Sequence, residues 1–344
     1  MSRRFPVKRL LRQRPETLLL VLAILVVAYG WEVLMPPGGV ASWKEGPPAV
    51  ADPLAELPPA PAAARAVIPK PGSSVRFLMY NLQNYFVPED RRRSAWRITY
   101  KRNDKREAAA EVIASAKPDI VGLVEIGGRQ ALNDLAERLE KRGLQYPVRV
   151  VVERGGEDRA LGLLSRVPLE RNASRAEYPL YGDHRRAMLR GILDVTLRTA
   201  DGRPFRLVGV HLKSHVAEDP AAAESLRRRE GETLARYLLG IVRRSPGVPL
   251  LVYGDFNDSA ASPAVQSISR GLARDAALTR LRPADRTGAG WTLYYREKDT
   301  YNTFDHLFVN KVLKERIDTT ATGVVDLPAA RKASDHRAIW CELR

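Results

Sequence analysis

Six short apolar runs in this chain of 344 residues are bordered by side chains that hold metals, move protons or grip phosphates. VRFLMYN ends on Asn81, DIVGLVE on Glu125, FRLVGVH on His211, and VPLLVYGDFN on Asp255 and Asn257. Asp305 heads DHLFV, and Asp335-His336 lead into RAIW. An ionised carboxylate closing an apolar run, as at Glu125, is costly unless compensated. A hard cation such as Mg²⁺ is the natural compensation, since it takes carboxylate and amide oxygens together with water. Asn81 would add a neutral oxygen. Asp255 and Asn257 stand two residues apart and therefore share one side of an extended chain. Asp255 could orient a water and Asn257 could donate to a phosphoryl oxygen; an ordinary Asx turn is the alternative. A histidine beside a carboxylate is fixed in tautomer and orientation, ready to act as a base or an electrostatic clamp. His336, with Asp335 next to it and Asp305 upstream, fits that description, as does His211. His215 and His306 are read as structural.

The elements that must carry these residues follow from periodicity. Strands are expected at Val75–Asn81, Ile120–Glu125, Ala160–Ser165, Met188–Leu197, Phe205–His211, Pro249–Asp255, Phe304–Val309 and Ala338–Glu342. Apolar positions at helical spacing predict helices at Asn103–Ala116, Gln130–Lys141 and Ala221–Val242. Strands alternate with helices but are interrupted by hairpin-like pairs, such as Met188–Leu197 with Phe205–His211 across Asp201-Gly202. That pattern predicts an α+β chain built on mixed sheets.

The formal charge is +16. Residues 1–17 contribute +5, 18–35 contribute −1 and 36–70 are balanced, so +12 falls on the remainder. A basic domain holding a cluster of carboxylates suggests a polyanionic partner gripped by the surrounding cations. Cys341 is the sole cysteine, which excludes an intrachain disulfide and a zinc–thiolate site.

Residues 1–17 form a basic head before the apolar stretch 18–35, the pattern of a signal anchor or a signal peptide. At 18 residues the stretch would span about 27 Å as a helix, close to a bilayer core. Residues 36–72 are rich in Pro and Ala and read as a semi-rigid linker. The expectation is a catalytic domain at 73–344 held outside the cytoplasm, tethered to the membrane or secreted if the segment is cleaved.

The order NLQN, VGLVE, HLKS, GDFN, FDHLFVN and SDH resembles the endonuclease/exonuclease/phosphatase superfamily of metal-dependent phosphoesterases. The resemblance spans about residues 74–344, and YNLQNYF, DKREAAAEVI and HLKSH are most similar to its deoxyribonuclease-like and secreted bacterial nuclease branch. It implies a four-layer α/β/β/α sandwich with two central mixed sheets and an Mg²⁺ site, with Mn²⁺ or Ca²⁺ as other possible ions. By that resemblance Glu125 and Asn81 would hold the metal, with Asp335 contributing. Asp255 and Asn257 would handle the nucleophile and scissile phosphate, Asp305 would orient His336, and His211 would face the leaving group, with Asp158 or Glu157 as its acidic partner. Where relatives carry a single Arg followed by prolines, this chain has Asp183-His184-Arg185-Arg186-Ala187. Arg185 or Arg186, helped by Lys213, would then bind phosphate. The expected activity is metal-dependent hydrolysis of DNA. The alternatives are a phosphatase or phospholipase-type esterase and an inactive nucleic-acid or partner-binding protein. The expected partners are nucleic acid as substrate and the membrane through the N-terminal helix, with no protein partner.

Overall fold

Apolar runs bordered by polar residues become buried strands whose ends reach a rim, and that rule shapes this molecule. The computed structural model describes residues 74–89, 99–199 and 202–343. Its strands are β1 (Val75–Tyr85), β2 (Ile120–Ile126), β3 (Val148–Val152), β4 (Ala160–Ser165), β5 (Leu169–Asn172), β6 (Pro179–Leu180), β7 (Asp183–Ala187) and β8 (Leu193–Arg198). They continue with β9 (Pro204–His211), β10 (Leu250–Asp255), β11 (Thr279–Arg280), β12 (Leu293–Tyr295), β13 (Thr300–Asn302), β14 (Asp305–Val309), β15 (Ile317–Val324) and β16 (Ile339–Leu343). The helices are α1 (Asn103–Ala116), α2 (Arg129–Glu140), α3 (Pro220–Arg244), α4 (Pro263–Arg270), α5 (Lys311–Lys314) and α6 (Pro328–Ala333).

Two six-stranded mixed sheets run in the orders β15-β16-β1-β2-β4-β3 and β11-β14-β10-β9-β8-β5. Each has one parallel pair at its centre, β1 with β2 and β10 with β9, flanked by antiparallel strands. The carboxyl ends of each parallel pair and the start of its antiparallel neighbour therefore lie on one rim. In register, Asp255 pairs with both His211 and Asp305.

Three apolar clusters separate the layers. One joins the facing sides of both sheets, from Phe77 and Val124 to Leu207 and Leu307. A second packs β1, β2 and β4 against α1, α2 and α6, and a third packs β9 and β10 against α3 and α4. The result is the expected order of helices, sheet, sheet and helices. Tyr253 of β10 sets how closely the sheets approach. A Cβ at Gly122 or at Gly209 would lie 2.3 or 2.6 Å from its ring, so both glycines make room for it. Asp255, two residues further along β10, points the same way as Tyr253 and reaches the first sheet.

The helix at α1 has the expected bounds and buries Ala109, Val112, Ile113 and Ala116 at helical spacing before ending at a left-handed Lys117 and Pro118. Asp219 caps α3, its side chain accepting from Ala222 N at 2.9 Å. The expected strand Met188–Leu197 begins only at Leu193. Gly191 turns there with φ 67°, and an added Cβ would meet Arg175 O at 2.2 Å. The strand β1 runs past Asn81 to Tyr85 through an irregular stretch in which Gln83 and Asn84 have φ of 47° and 56°. Among the described residues no helix is long and apolar enough to cross a membrane; the candidate span 18–35 and the whole linker 36–72 lie outside them.

Candidate active site

Glu125 owes its position to a flaw in its strand. The β2 register slips between Val124 and Ile126, leaving Glu125 as the extra residue of a bulge at φ 60°. Bulges re-aim a side chain, and a non-glycine residue in this conformation is strained. Glu125 is thereby turned toward the second sheet. Its Oε2 accepts the Asn84 N–H at 2.9 Å, and its Oε1 faces His211 Nε2 at 3.8 Å. Asn257 is also left-handed, at φ 50°. Gly254 serves the backbone rather than a ligand, since a Cβ there would meet Val210 O at 2.0 Å.

Asp255 is the hub. One carboxylate oxygen, Oδ1, accepts the Asn257 N–H at 2.8 Å, and the other, Oδ2, accepts Asn81 Nδ2 at 2.8 Å. The same Oδ2 stands 3.8 Å from both His211 Nε2 and His336 Nε2. His336 Nδ1 lies 2.7 Å from Asp305 Oδ2. A carboxylate can only accept, so Nδ1 carries the hydrogen and Nε2 is presented to Asp255. The structure therefore brings together Asn81, Glu125, His211, Asp255, Asn257, Asp305 and His336, from both sheets.

Burial penalises charge here, and neighbouring charges decide what survives. Burial raises the Asp255 carboxyl above its usual range, with Asp305 and Glu125 adding to the effect and His336 opposing it. His336 is buried too, which disfavours its charged form, yet Asp305, Asp255 and Asp335 together hold it well above an ordinary imidazole. For His211, burial and the nearby Arg190, Arg159, His336 and Lys213 all press the ring well below its ordinary value. One histidine is thus held charged and the other neutral.

Several expected contacts fall elsewhere. His211 Nδ1 is buried without a hydrogen-bond partner, and Glu157 faces Arg190 at 3.5 Å and Arg159 at 3.8 Å rather than serving that nitrogen. Arg185 and Arg186 are exposed on β7 and line a groove with Arg154 and Glu177. The guanidiniums acting on His211 are Arg190 and Arg159, the latter 3.6 Å from Glu125. Lys213 Nζ reaches Val216 O at 3.4 Å, within its own loop. Asn257 Nδ2 donates to Leu212 O at 2.9 Å, tying the GDFN turn to the end of β9. His306 is structural as expected, its Nε2 2.9 Å from Asp258 O.

Four supporting residues were not legible in the sequence. Arg190 is buried, with Nη1 on Leu212 O at 3.4 Å. Its signal was a lone cation inside MLRGIL. Glu230 and Arg227 lie buried on the inward face of α3, in phase with Leu234 and Leu238. Glu230 accepts the N–H groups of Leu189 at 2.8 Å and Lys213 at 2.7 Å, and Arg227 donates to Lys213 O at 3.0 Å. Lys101 Nζ holds the β1 bulge through Leu82 O at 2.9 Å and Gln83 O at 3.2 Å, and burial pushes its ammonium down to about 8.

The donor chemistry fits a hard divalent cation. Glu125 Oε1 has no hydrogen bond of its own among the described contacts, and Asp305 Oδ1 is buried without a partner. Ligand atoms of Asp255, Asp305 and His336 lie within 4.8 Å of one another. The Asp305–His336 bond already joins two members of that trio, leaving Glu125 as the acid freest to take a cation, with Asp335 half-buried nearby. Asn81 has its oxygen on Gln83 N at 3.0 Å, so it orients Asp255 while retaining one lone pair.

A sequence model of the Endonuclease/Exonuclease/phosphatase family matches residues 80–336, a span that contains all seven of these converging residues. The chain belongs to the endonuclease/exonuclease/phosphatase family.

Solved structures share the fold at low identity. The human nocturnin catalytic domain, solved with a bound sulfate, is 18% identical, with TM-score 0.54, covering 82% of this chain and 96% of that one. An endonuclease/exonuclease/phosphatase protein from Bacteroides vulgatus is 18% identical, with TM-score 0.55, covering 79% and 99%. D. rerio TDP2 complexed with a single-strand DNA product is 16% identical, with TM-score 0.53, covering 79% and 99%. No curated protein sequence matches the chain.

Proposed function

We propose that this endonuclease/exonuclease/phosphatase chain is an Mg²⁺-dependent phosphodiesterase that cleaves nucleic acid, DNA before RNA, on the far side of the cytoplasmic membrane. The observation that carries the reading is the Asp305–His336 pair facing Asp255 across 3.8 Å, with Glu125 on the other side of His211. Burial and neighbours drive these titratable groups apart, as acid–base chemistry requires.

Water attacks phosphorus in line with the departing ester oxygen. Asp255, whose raised pKa suits a base, takes the water proton as the new P–O bond forms and the ester bond breaks. His336, held charged by Asp305, clamps the phosphoryl oxygens where negative charge grows. Neutral His211 offers a hydrogen bond to the leaving oxygen, which takes its proton from solvent. Burial, with Arg190 and Arg159, keeps His211 neutral, and the two guanidiniums add positive potential on that side. Glu125, with Asn81 and Asp335, would hold the cation, which when bound supplies charge neutralisation and polarises the scissile P–O bond.

Nucleic acid is supported by the +12 carried by residues 71–344 and by the cleft that opens on His336, whose lining is aromatic and basic rather than aliphatic. The likeness to TDP2 solved with DNA agrees with it. The basic head and apolar stretch at residues 1–35 support export.

The test incubates the full-length protein with Mg²⁺ and plasmid DNA, RNA, sphingomyelin or a phosphoinositide. Cleavage of nucleic acid that EDTA abolishes is expected. Release of a lipid head group with nucleic acid intact would sink the nuclease reading.

A further inference from the structure

The GWTLYYREKDTYNTF segment plays no part in the chemistry above, yet it builds one wall of the cleft at His336. Strands β12 and β13 form a hairpin, and the hairpin is fastened directly to the catalytic strand end. Leu293 bridges His336, Tyr294 N donates to Asp335 O at 3.1 Å, and Arg337 N donates to Thr292 O at 2.7 Å. The cleft enclosed this way has a volume of about 630 Å³ and contains Trp291, Tyr294 and Tyr301 together with Asp335 and His336.

These rings are arranged as a platform. Tyr294 and Tyr301 stack at 4.9 Å and 28°, and Trp291 meets Tyr301 edge-on at 4.9 Å. Arg337 covers the Trp291 face at 4.1 Å and is itself paired with Asp285 at 2.6 Å. Tyr301 remains 59% exposed, the largest exposure of any aromatic ring among the described residues' exposed hydrophobics. Rings held open to water at the mouth of a site call for a flat partner. Five Lys and Arg line the same cleft against the three acids Glu297, Asp326 and Asp335, leaving it net basic as a phosphate backbone needs.

We propose that this hairpin is a stacking platform for unpaired bases, so that the substrate is a single strand whose bases lie on Tyr301 while its scissile phosphate sits at His336. A base inside a duplex has both faces covered by its neighbours and cannot stack on Tyr301; an unpaired base can. The platform and the catalytic histidine share one cleft, so binding on the platform places the adjoining phosphate at the chemistry. The proposal rests on the phosphodiesterase reading above and narrows it to the single-stranded form of nucleic acid.

The experiment uses the full-length protein with Mg²⁺ and three substrates: a labelled single-stranded oligonucleotide as DNA and as RNA, the same DNA in a blunt duplex, and bis(p-nitrophenyl) phosphate. A stacked base contributes enough that its loss costs about tenfold in binding. Wild type is expected to cleave at least one single strand about tenfold faster than the duplex at subsaturating substrate. Tyr301→Ala should raise KM for that strand about tenfold with little change in kcat, and Tyr301→Phe should restore it. Equal cleavage of strand and duplex, or a Tyr301→Ala KM equal to that of wild type, overturns the platform. If wild type hydrolyses bis(p-nitrophenyl) phosphate while either of those results holds, the phosphodiesterase reading survives and only the platform falls. If it hydrolyses none of the three substrates, the underlying reading falls first.

Discussion

Asp305 Oδ2 lies 2.7 Å from His336 Nδ1, and this one contact leaves the other ring nitrogen facing Asp255. It joins a residue at the start of β14 in one sheet to a residue just ahead of β16 in the other. Replacing Asp305 by Asn puts an amide where a carboxylate held both the tautomer and the charge. We predict that Asp305→Asn lowers kcat by about 10²- to 10⁴-fold, the scale of positioned acid–base catalysis, with KM nearly unchanged. Steady-state kinetics on any cleaved substrate check it.

Glu125 is turned into the site by its strained bulge and keeps an oxygen with no hydrogen-bond donor. Glu125→Gln preserves shape and removes the charge. Even residues behind a metal's direct ligands alter affinity by about 10- to 100-fold. The Mg²⁺ concentration for half-maximal activity should therefore rise at least about tenfold. Ligand binding to the folded state raises its melting temperature, so Mg²⁺ should raise that of wild type and raise that of the variant less. Equal responses would remove Glu125 from the cation site.

Glu230 is buried on α3 and accepts two backbone N–H groups, one from each segment flanking Arg190 and Lys213. It touches no substrate and acts by positioning. Gln offers one acceptor where two are required, and a buried N–H left without a partner costs about 1–3 kcal/mol. Glu230→Gln should lose stability of that order in denaturant melts. It should also lower kcat/KM while leaving the Mg²⁺ requirement where it was.

His306 is buried, and burial pushes its ring down to about 4 despite the favourable contact with Asp258 O. In the unfolded chain the ring takes a proton near pH 6.5. Its contribution to stability is therefore fully present above pH 6.5 and is lost as pH falls from there toward about 4. His211 and His215 are shifted the same way, so the slope in wild type has several sources. His306→Gln, which keeps a donor for Asp258 O, should flatten the fall in melting temperature between pH 6.5 and 4 relative to wild type.

Much of this was legible in the sequence because β-type runs and their polar borders are local signals. Asn81, Glu125, His211, Asp255, Asn257, Asp305 and His336 all converge on one rim, although β1 runs on past Asn81 to Tyr85 and Glu125 is aimed by a bulge rather than by a strand end. The fastening of Asn81 to Asp255 was not legible, since it joins residues 174 positions apart across two sheets that approach where the Tyr253 ring meets Gly122. Arg185 and Arg186 stood out by their place in the resemblance, while Arg190, alone in an apolar run, did not, although it is buried and acts on His211. Glu230 and Arg227 were hidden in a highly charged helix whose inward face only helical phase reveals. The β3 strand VRVVV was missed although its β-branched residues carried the signal. The short β12–β13 hairpin was not, being held by its docking on the His336 segment rather than by propensity.

The most direct measurement is the rate of nucleic-acid cleavage by full-length wild type and by His336→Ala, at saturating Mg²⁺ and with EDTA. Wild type is predicted to cleave only with the metal present, and His336→Ala to fall by at least about 10²-fold while remaining folded by circular dichroism. A folded His336→Ala protein that cleaves at the wild-type rate would contradict the account.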